Sequence, residues 1–392
     1  MRVIEVCCGA GGMSLGLKRA GLKIVHAVDT WEEALKVYRH NLPMPNSFLR
    51  RRHYADSKDL SQLMTVVPRF LDKECDMIAG DPPCQDFSAA GSRNEGQRAN
   101  VTVAFAMFIV AIRPQWILME NVPQAKSSFA WMNARTILKR AGYGLTEMTL
   151  DASRYGVAQA RRRFIVVGRL GEADNFLAKS ISDAASERPM SVRDLLGDDV
   201  GVHPGRDYPP RMRVFFMRPY KGDSGVHSID DPCPTIFRNA GAKASRNYVD
   251  HPDDVAPARQ VPPLNPEQLS QLQGFPTNWS WKPLTDMKDR DQMIANAMAE
   301  AIGRIILARA NGETMPAIEE KFSQWLSRSK KIIGRTLRNR KAHLNRARRL
   351  LKGRMMSEVD AELALLETSE EFRELSASAK SDLRLALRLH WE

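Results

Sequence analysis

Short apolar runs alternate with segments of helical period, and a glycine, a proline or an acid closes most of the runs. Val3-Ile4-Glu5-Val6 predicts a strand, Gly9-Ala10-Gly11-Gly12 a turn, and Met13 to Ala20 a helix stopped by Gly21. Lys23 to Val28 reads as a second strand ending at Asp29, and His53-Tyr54-Ala55 as a short one before Asp56. Cys75-Asp76-Met77-Ile78-Ala79 predicts a buried parallel strand leading into Gly80-Asp81-Pro82-Pro83-Cys84-Gln85-Asp86-Phe87-Ser88. An apolar helix over Val101 to Ile112 ends before Pro114. Trp116 to Met119 is another buried strand, with Glu120-Asn121-Val122-Pro123 at its end. A helix over Ala134 to Ala141 stops at Gly142, and Gln159-Ala160-Arg161-Arg162-Arg163 opens a strand over Phe164 to Val167. This alternation predicts an α/β sheet whose ligands lie in the crevice beyond the carboxyl ends of its strands.

From about Gly171 the texture changes. Residues 197–262 are rich in Gly, Pro, Asp and His and predict an irregular unit of short strands and loops. Helical order returns at Asn265-Pro266-Glu267, and Asp291 to Arg309 reads as a long helix. Leu326, Ile333, Leu337, Leu344 and Leu351 form one stripe at spacings of 7, 4, 7 and 7, with Gly353 closing that helix. Ser357-x-x-Asp360 and Thr368-x-x-Glu371 read as capping boxes of two shorter helices. The expected division is 1–170 as the first part of a catalytic domain, 171–276 as a recognition domain, 277–312 as the return to the catalytic domain, and 313–392 as a basic helical extension.

Charge sharpens the reading of that extension. The 392 residues carry a net charge of +12, and 13 Lys/Arg with no Asp/Glu fall between Lys321 and Arg354. The rest of the chain is therefore close to neutral, and a polyanion is the expected partner of the extension, with a solvated structural appendage as the alternative. A hydrophobic share of 43% and seven Trp provide for a sizeable core. Five cysteines without framework spacing suggest a reducing compartment, and Cys7-Cys8 gives no metal-ligand pattern, so no metal is expected. No apolar run reaches the ~18 residues of a membrane span, and Glu5 breaks any signal-peptide pattern. The expectation is a cytoplasmic protein, in the cytosol or nucleoid of a prokaryotic cell, without a membrane partner.

Three features carry chemistry. Cys84 follows two prolines just past a strand end, which presents its thiol on a stiff loop, although a buried cysteine in a tight turn is the commoner case. Glu120 stands at the end of the next strand, and Arg161 and Arg163 point the same way while Arg162 points opposite. Two such guanidinium groups suit one anionic or polar ligand, with a solvated basic turn as the alternative. The glycine turn with Asp29 fits NAD, FAD or S-adenosylmethionine. Ser14 stands where a dinucleotide site needs its third glycine, which favours a ligand without phosphates.

Taken in order across roughly residues 3–310, these pieces resemble the DNA (cytosine-5)-methyltransferase family. Glu5-Val6-Cys7-Cys8-Gly9-Ala10-Gly11-Gly12 is similar to its first cofactor motif, and Pro82-Pro83-Cys84-Gln85 to its nucleophile motif. Glu120-Asn121-Val122 matches the catalytic glutamate motif and Gln159-Ala160-Arg161-Arg162-Arg163 the Gln-x-Arg-x-Arg motif. Arg259 with Glu267, Leu272 to Pro276, and Asn296 match the last two motifs. Departures are Cys7 for the usual Phe, Ala295 for the usual Gly before Asn296, and Ala90 for a common Ser.

The resemblance implies a Rossmann-like S-adenosylmethionine-dependent methyltransferase sheet, a small β-rich target recognition domain and a helical C-terminal extension. It implies catalytic roles for Cys84, Glu120, Arg161 and Arg163. The cofactor, released as S-adenosylhomocysteine, would be held by Cys8, Gly9, Ala10, Gly11, Gly12, Asp29, Thr30, Asp56, Ser57, Asp81, Pro83, Val101, Asn296 and Ala297. Gln85, Ser88 and Thr235 would touch double-stranded DNA, Thr235-Ile236 being similar to the family's Thr-Leu/Ile dipeptide, with a core turn as the alternative reading. In the reaction so implied, the Cys84 thiolate adds to cytosine C6 and makes C5 nucleophilic, Glu120 meets the charge growing at N3, Arg163 holds the base's O2, and Arg161 supports the nearby loop. The target base would be flipped out of the duplex. A first motif at residue 3 leads to the expectation of no N-terminal regulatory module, a prokaryotic or viral enzyme from a restriction-modification system or standing alone, and a monomer on DNA. The rivals are the family's tRNA-methylating branch, whose Cys-Phe-Thr signature is absent here, and a catalytically silent DNA-binding module.

Overall fold

The computed structural model describes residues 1–43, 55–83, 100–219, 222–237, 239–284, 298–311, 326–327, 330–351 and 359–391. In chain order the elements are β1 (Arg2–Val6), α1 (Gly12–Arg19), β2 (Lys23–Asp29), α2 (Glu32–Asn41), β3 (Ala55–Ser57), α3 (Leu63–Val66), β4 (Met77–Gly80), α4 (Asn100–Ile112), β5 (Trp116–Asn121), α5 (Phe129–Arg140), β6 (Tyr143–Asp151), β7 (Gln159–Ala160) and β8 (Arg162–Leu170). There follow α6 (Ala178–Asp183), α7 (Val192–Leu196), β9 (Val214–Phe216), β10 (Val226–Ser228), β11 (Cys233–Pro234), α8 (Pro266–Leu272) and α9 (Met298–Asn311). The extension holds α10 (Gly334–Leu350), α11 (Val359–Thr368), α12 (Glu370–Arg373) and α13 (Ala377–Trp391).

Seven strands make one mixed sheet in the order β3-β2-β1-β4-β5-β8-β6. β1 to β5 pair in parallel, whereas β8 runs antiparallel to both β5 and β6. One face packs Ile4, Ile78, Ile117 and Phe164 against Phe105, Phe108 and Trp131 of α4 and α5. The other packs Val3, Met77, Trp116 and Val167 against Leu17, Ile302 and Ile306 of α1 and α9. Strands apolar on both faces are what a sheet covered by helices on each side requires.

Several expected boundaries move. β6, nine residues long, lies where no strand was expected. Tyr143-Gly144-Leu145-Thr146 alternates weakly, and its pairing with β8 at the sheet edge supplies what the pattern lacks. α5 begins at Phe129, five residues earlier than expected, because Ser128 Oγ accepts the Trp131 N–H and caps it there. The predicted stripe loses Ile333, which is 72% exposed. Its backbone is extended before α10 starts, so the helical spacing does not reach it. Thr368 is the last residue of α11 and gives its hydroxyl to the Leu365 carbonyl, so Ser369, without a side-chain cap bond, is the N-cap of α12. Ser357 and Gly353 lie outside the described residues, as do His53, Tyr54 and residues 291–297.

The segment expected to open the recognition unit is shared between two cores. Phe176, Leu177 and Ile181 bury against β1 and β5, while Val192, Phe215, Ile229, Cys233, Ile236 and Leu269 form a separate cluster. β11 pairs in parallel with β7, Cys233 opposite Gln159 and Pro234 opposite Ala160, and this joins the smaller unit to the loop that carries Arg161. In the extension Leu326, Leu344, Leu351, Leu366, Phe372, Leu383 and Leu387 build a small core of their own.

Candidate active site

The carboxyl ends of β1, β2 and β3 form one rim. The chain leaves β1 through Cys7 and Gly9, both at positive φ, and Gly11 at φ 95 enters α1. A Cβ on Gly11 would stand 2.7 Å from Leu42 and 2.8 Å from Tyr38, so the turn needs glycine for both its space and its backbone. Ser14 is buried beneath it, hydrogen-bonded to Glu5 and 2.7 Å from the Tyr38 hydroxyl, and burial pushes the Glu5 carboxyl up to about 8. The Asp29 carboxylate accepts the Gly9 N–H and the Trp31 N–H, each at 2.8 Å. Burial raises its pKa while these bonds oppose the rise. Asp29 lies opposite Ser57 and Val28 opposite Asp56, so the expected cofactor acids share one edge with Thr30 exposed beside them. Cys8 and Ala10 are buried under the turn with Gly12, and Val101 packs partly against the core below the ends of β1 and β4.

The ends of β4 and β5 hold the second half. Glu120 is 2% exposed. Arg163 Nε lies 2.8 Å and Arg161 Nη2 3.9 Å from its Oε1. The two arginines thus face one carboxyl, as their spacing predicted, while Arg162 is exposed. Asn121 Nδ2 donates to the Pro82 carbonyl at 3.1 Å and ties the Asp81-Pro82-Pro83 turn to the end of β5. Asp81, expected at the cofactor, stands beside Glu120 at the neighbouring strand end, a pairing that no sequence motif signalled. Cys84, Gln85, Ser88, Asn296 and Ala297 lie outside the described residues.

Beside Arg163 opens a cleft of about 710 Å³ between the sheet and the smaller unit. Arg162, Arg163 and Pro123 line one wall, and Arg218, His227, Thr235 and Phe237 the other. Thr235 Oγ1 donates to the Ala160 carbonyl at 2.9 Å, and Ile236 behind it is buried, so the dipeptide bridges the two units and also packs the core. His227, whose pKa burial lowers, and Arg218 are wall residues that the sequence did not single out.

Residues 1–214 match the family model of the C-5 cytosine-specific DNA methylases. The chain belongs to that family. This DNA cytosine-5-methyltransferase is 34% identical to the Type II methyltransferase M.HgiDI of Herpetosiphon aurantiacus, over 76% of this chain and 90% of that one. It is 35% identical to the Type II methyltransferase M.HindV of Haemophilus influenzae, over 78% and 95%. Among solved structures, the S. pombe Dnmt2 methyltransferase superposes with a TM-score of 0.54 at 18% identity, covering 79% of this chain and 97% of that one. The likeness is one of fold. Members of the family draw their methyl group from S-adenosylmethionine, and the site is suited to it. The rim beside the Gly9–Gly11 turn offers carboxylates for a ribose and a cationic sulfonium, and buried Ser14 takes the place of a phosphate-cradling glycine. Among the described residues no helix is long and apolar enough to cross a membrane.

Proposed function

We propose that the enzyme methylates C5 of a cytosine within a specific sequence of duplex DNA, taking the base out of the stack into the cleft beside Arg163. The observation that carries this reading is the cleft itself, which sets Arg163, ion-paired to buried Glu120 behind it, against a wall containing Thr235 and Arg218. A flipped cytosine there presents O2 to a guanidinium and N3 to a carboxyl. Extrusion costs a few kcal/mol, which contacts from the smaller unit to the flanking bases offset. S-adenosylmethionine, bound along the ends of β1, β2 and β3 by Cys8 to Gly12, Asp29, Thr30, Asp56 and Ser57, supplies an electrophilic methyl group. The Cys84 thiolate forms the S–C6 bond, electron density moves toward N3, and a proton from Glu120 neutralises it there. Positioned proton transfer of this kind is worth roughly 10²–10⁴ in rate. Adduct formation turns C5 into a nucleophile, and loss of the C5 proton with cleavage of the S–C6 bond restores the aromatic ring. Exposed arginines on α10 add contacts to DNA phosphates outside the cleft.

Cys84→Ala is expected to abolish transfer of labelled methyl to duplex DNA with cofactor affinity unchanged. A duplex with 5-fluorocytosine at the target is expected to trap the wild-type protein covalently, because fluorine cannot leave as a proton. Substantial turnover by Cys84→Ala would overturn the covalent route, and methyl transfer to tRNA in preference to duplex DNA would overturn the substrate. Bisulfite or nanopore sequencing of DNA from expressing cells reads the recognised sequence directly.

A further inference from the structure

The turn after β4 brings a second carboxyl to the site. β4 and β5 are parallel neighbours with Gly80 opposite Met119, so the next residues, Asp81 and Glu120, emerge side by side at the strand ends. The Asn121 bond to the Pro82 carbonyl holds the two ends together, with the Asp81 and Glu120 carboxyls close enough to act on each other. Ionised carboxylates only accept, so a hydrogen bond between two such groups requires a proton on one of them. The groups facing the pair are Arg163 and Arg161 from the β7–β8 segment and Cys7 from the turn after β1.

We propose that Asp81 and Glu120 share one proton and that Asp81 is a positioning residue that keeps Glu120 supplied with it during adduct formation. Burial first, then the charge and the hydrogen bond of Glu120, hold the Asp81 carboxyl well above the usual carboxylate range, and Arg163 and Arg161 oppose that rise. A second carboxylate at the neighbouring strand end disfavours ionisation of Asp81, which is the group that keeps the proton. As the S–C6 bond forms, the one shared proton moves from Asp81 onto Glu120 and from Glu120 to the base, so that the Asp81 O–H bond breaks and an N3–H bond forms. Both groups are left as carboxylates close to the two guanidinium groups, and the proton released from N3 on elimination returns to the pair.

This inference rests on the role given to Glu120, and the experiment separates the two. The rate of labelled-methyl transfer to unmethylated genomic DNA is measured against pH under saturating cofactor for the full-length wild type, Asp81→Asn, Asp81→Glu and Glu120→Gln. Asparagine keeps a hydrogen bond but holds no acidic proton and no charge. For Asp81→Asn the alkaline limb of kcat is expected to move about one unit toward acid, a roughly tenfold loss above it, with rates converging at the acid end. Asp81→Glu is expected to restore part of that limb. An Asp81→Asn profile that superimposes on wild type, or one lowered equally at every pH, would overturn the shared proton. If Asp81→Asn melts early, the Asp81→Glu profile decides, since an acid that restores no part of the limb refutes the pair. Glu120→Gln retaining full rate would instead remove the underlying role of Glu120.

Discussion

Arg335, Arg338, Arg346 and Arg349 stand exposed on α10. At about 100° per residue they fall within an arc of about 80°, opposite the face that buries Leu344, Ala347 and Leu351. From Arg335 to Arg349 the helix spans about 21 Å, a length over which duplex DNA offers roughly a dozen phosphate charges. No acid lies on α10 to neutralise the row. If each arginine contacts one phosphate, replacing all four by Gln removes about 3.6 from the slope of log affinity against log salt. Raising salt from about 50 to about 200 mM should then cost the wild type about 150-fold more affinity than the variant. Fluorescence anisotropy with a labelled duplex over that range reads the slope, and Gln keeps the helix propensity of the exposed positions. A control with Lys18, Arg69, Lys73 and Arg140 changed to Gln removes the same charge from exposed positions elsewhere. Equal slopes for wild type and the α10 variant, or an equal flattening by the control, would refute a dedicated phosphate row. The methylated sequence is expected to stay the same, because phosphate contacts position the protein without reading bases.

Two further outcomes follow from particular groups. Asp29→Ala is expected to weaken S-adenosylmethionine binding in calorimetry, because it removes the acid at the rim and orphans the Gly9 and Trp31 N–H groups, whereas Glu120→Gln is expected to bind the cofactor normally and lose most of the rate; the reverse pattern would reverse the two roles. His390 on α13 is held at a pKa of about 3 by burial first, then by Arg348 and Lys179, against an ordinary 6.5. Its folded pKa lies below the unfolded one, so the unfolded chain binds the proton more readily and stability falls as pH drops from about 6.5 toward 3. His390→Leu is expected to lessen that acid loss in limited proteolysis of the extension, and an unchanged pH dependence would exclude His390 as its source.

Much of the site was legible because its determinants are local. A glycine turn between a strand and a helix, an acid at a strand end and an Arg-x-Arg pair each need only a few consecutive residues. The strand alternation that places them at one rim is likewise written in short apolar runs, and a two-residue spacing in an extended segment set Arg161 and Arg163 on one side of the chain. The leucine stripe of the extension was legible only where its helix is continuous. Ile333 dropped out because the backbone is extended just before Gly334.

What tertiary structure decided is pairing between segments far apart in sequence. β6 is a strand because β8 lies beside it, and its own residues carry little alternation. Thr235 reaches the rim of the site because β11 adds to β7, a register that no single segment encodes. Asp81 turned out to be Glu120's neighbour because β4 and β5 align Gly80 with Met119, bringing residues 81 and 120 side by side at the strand ends. A one-residue slip in that register would move Asp81 out of line with Glu120, and the burial of both faces of these strands is what prevents the slip.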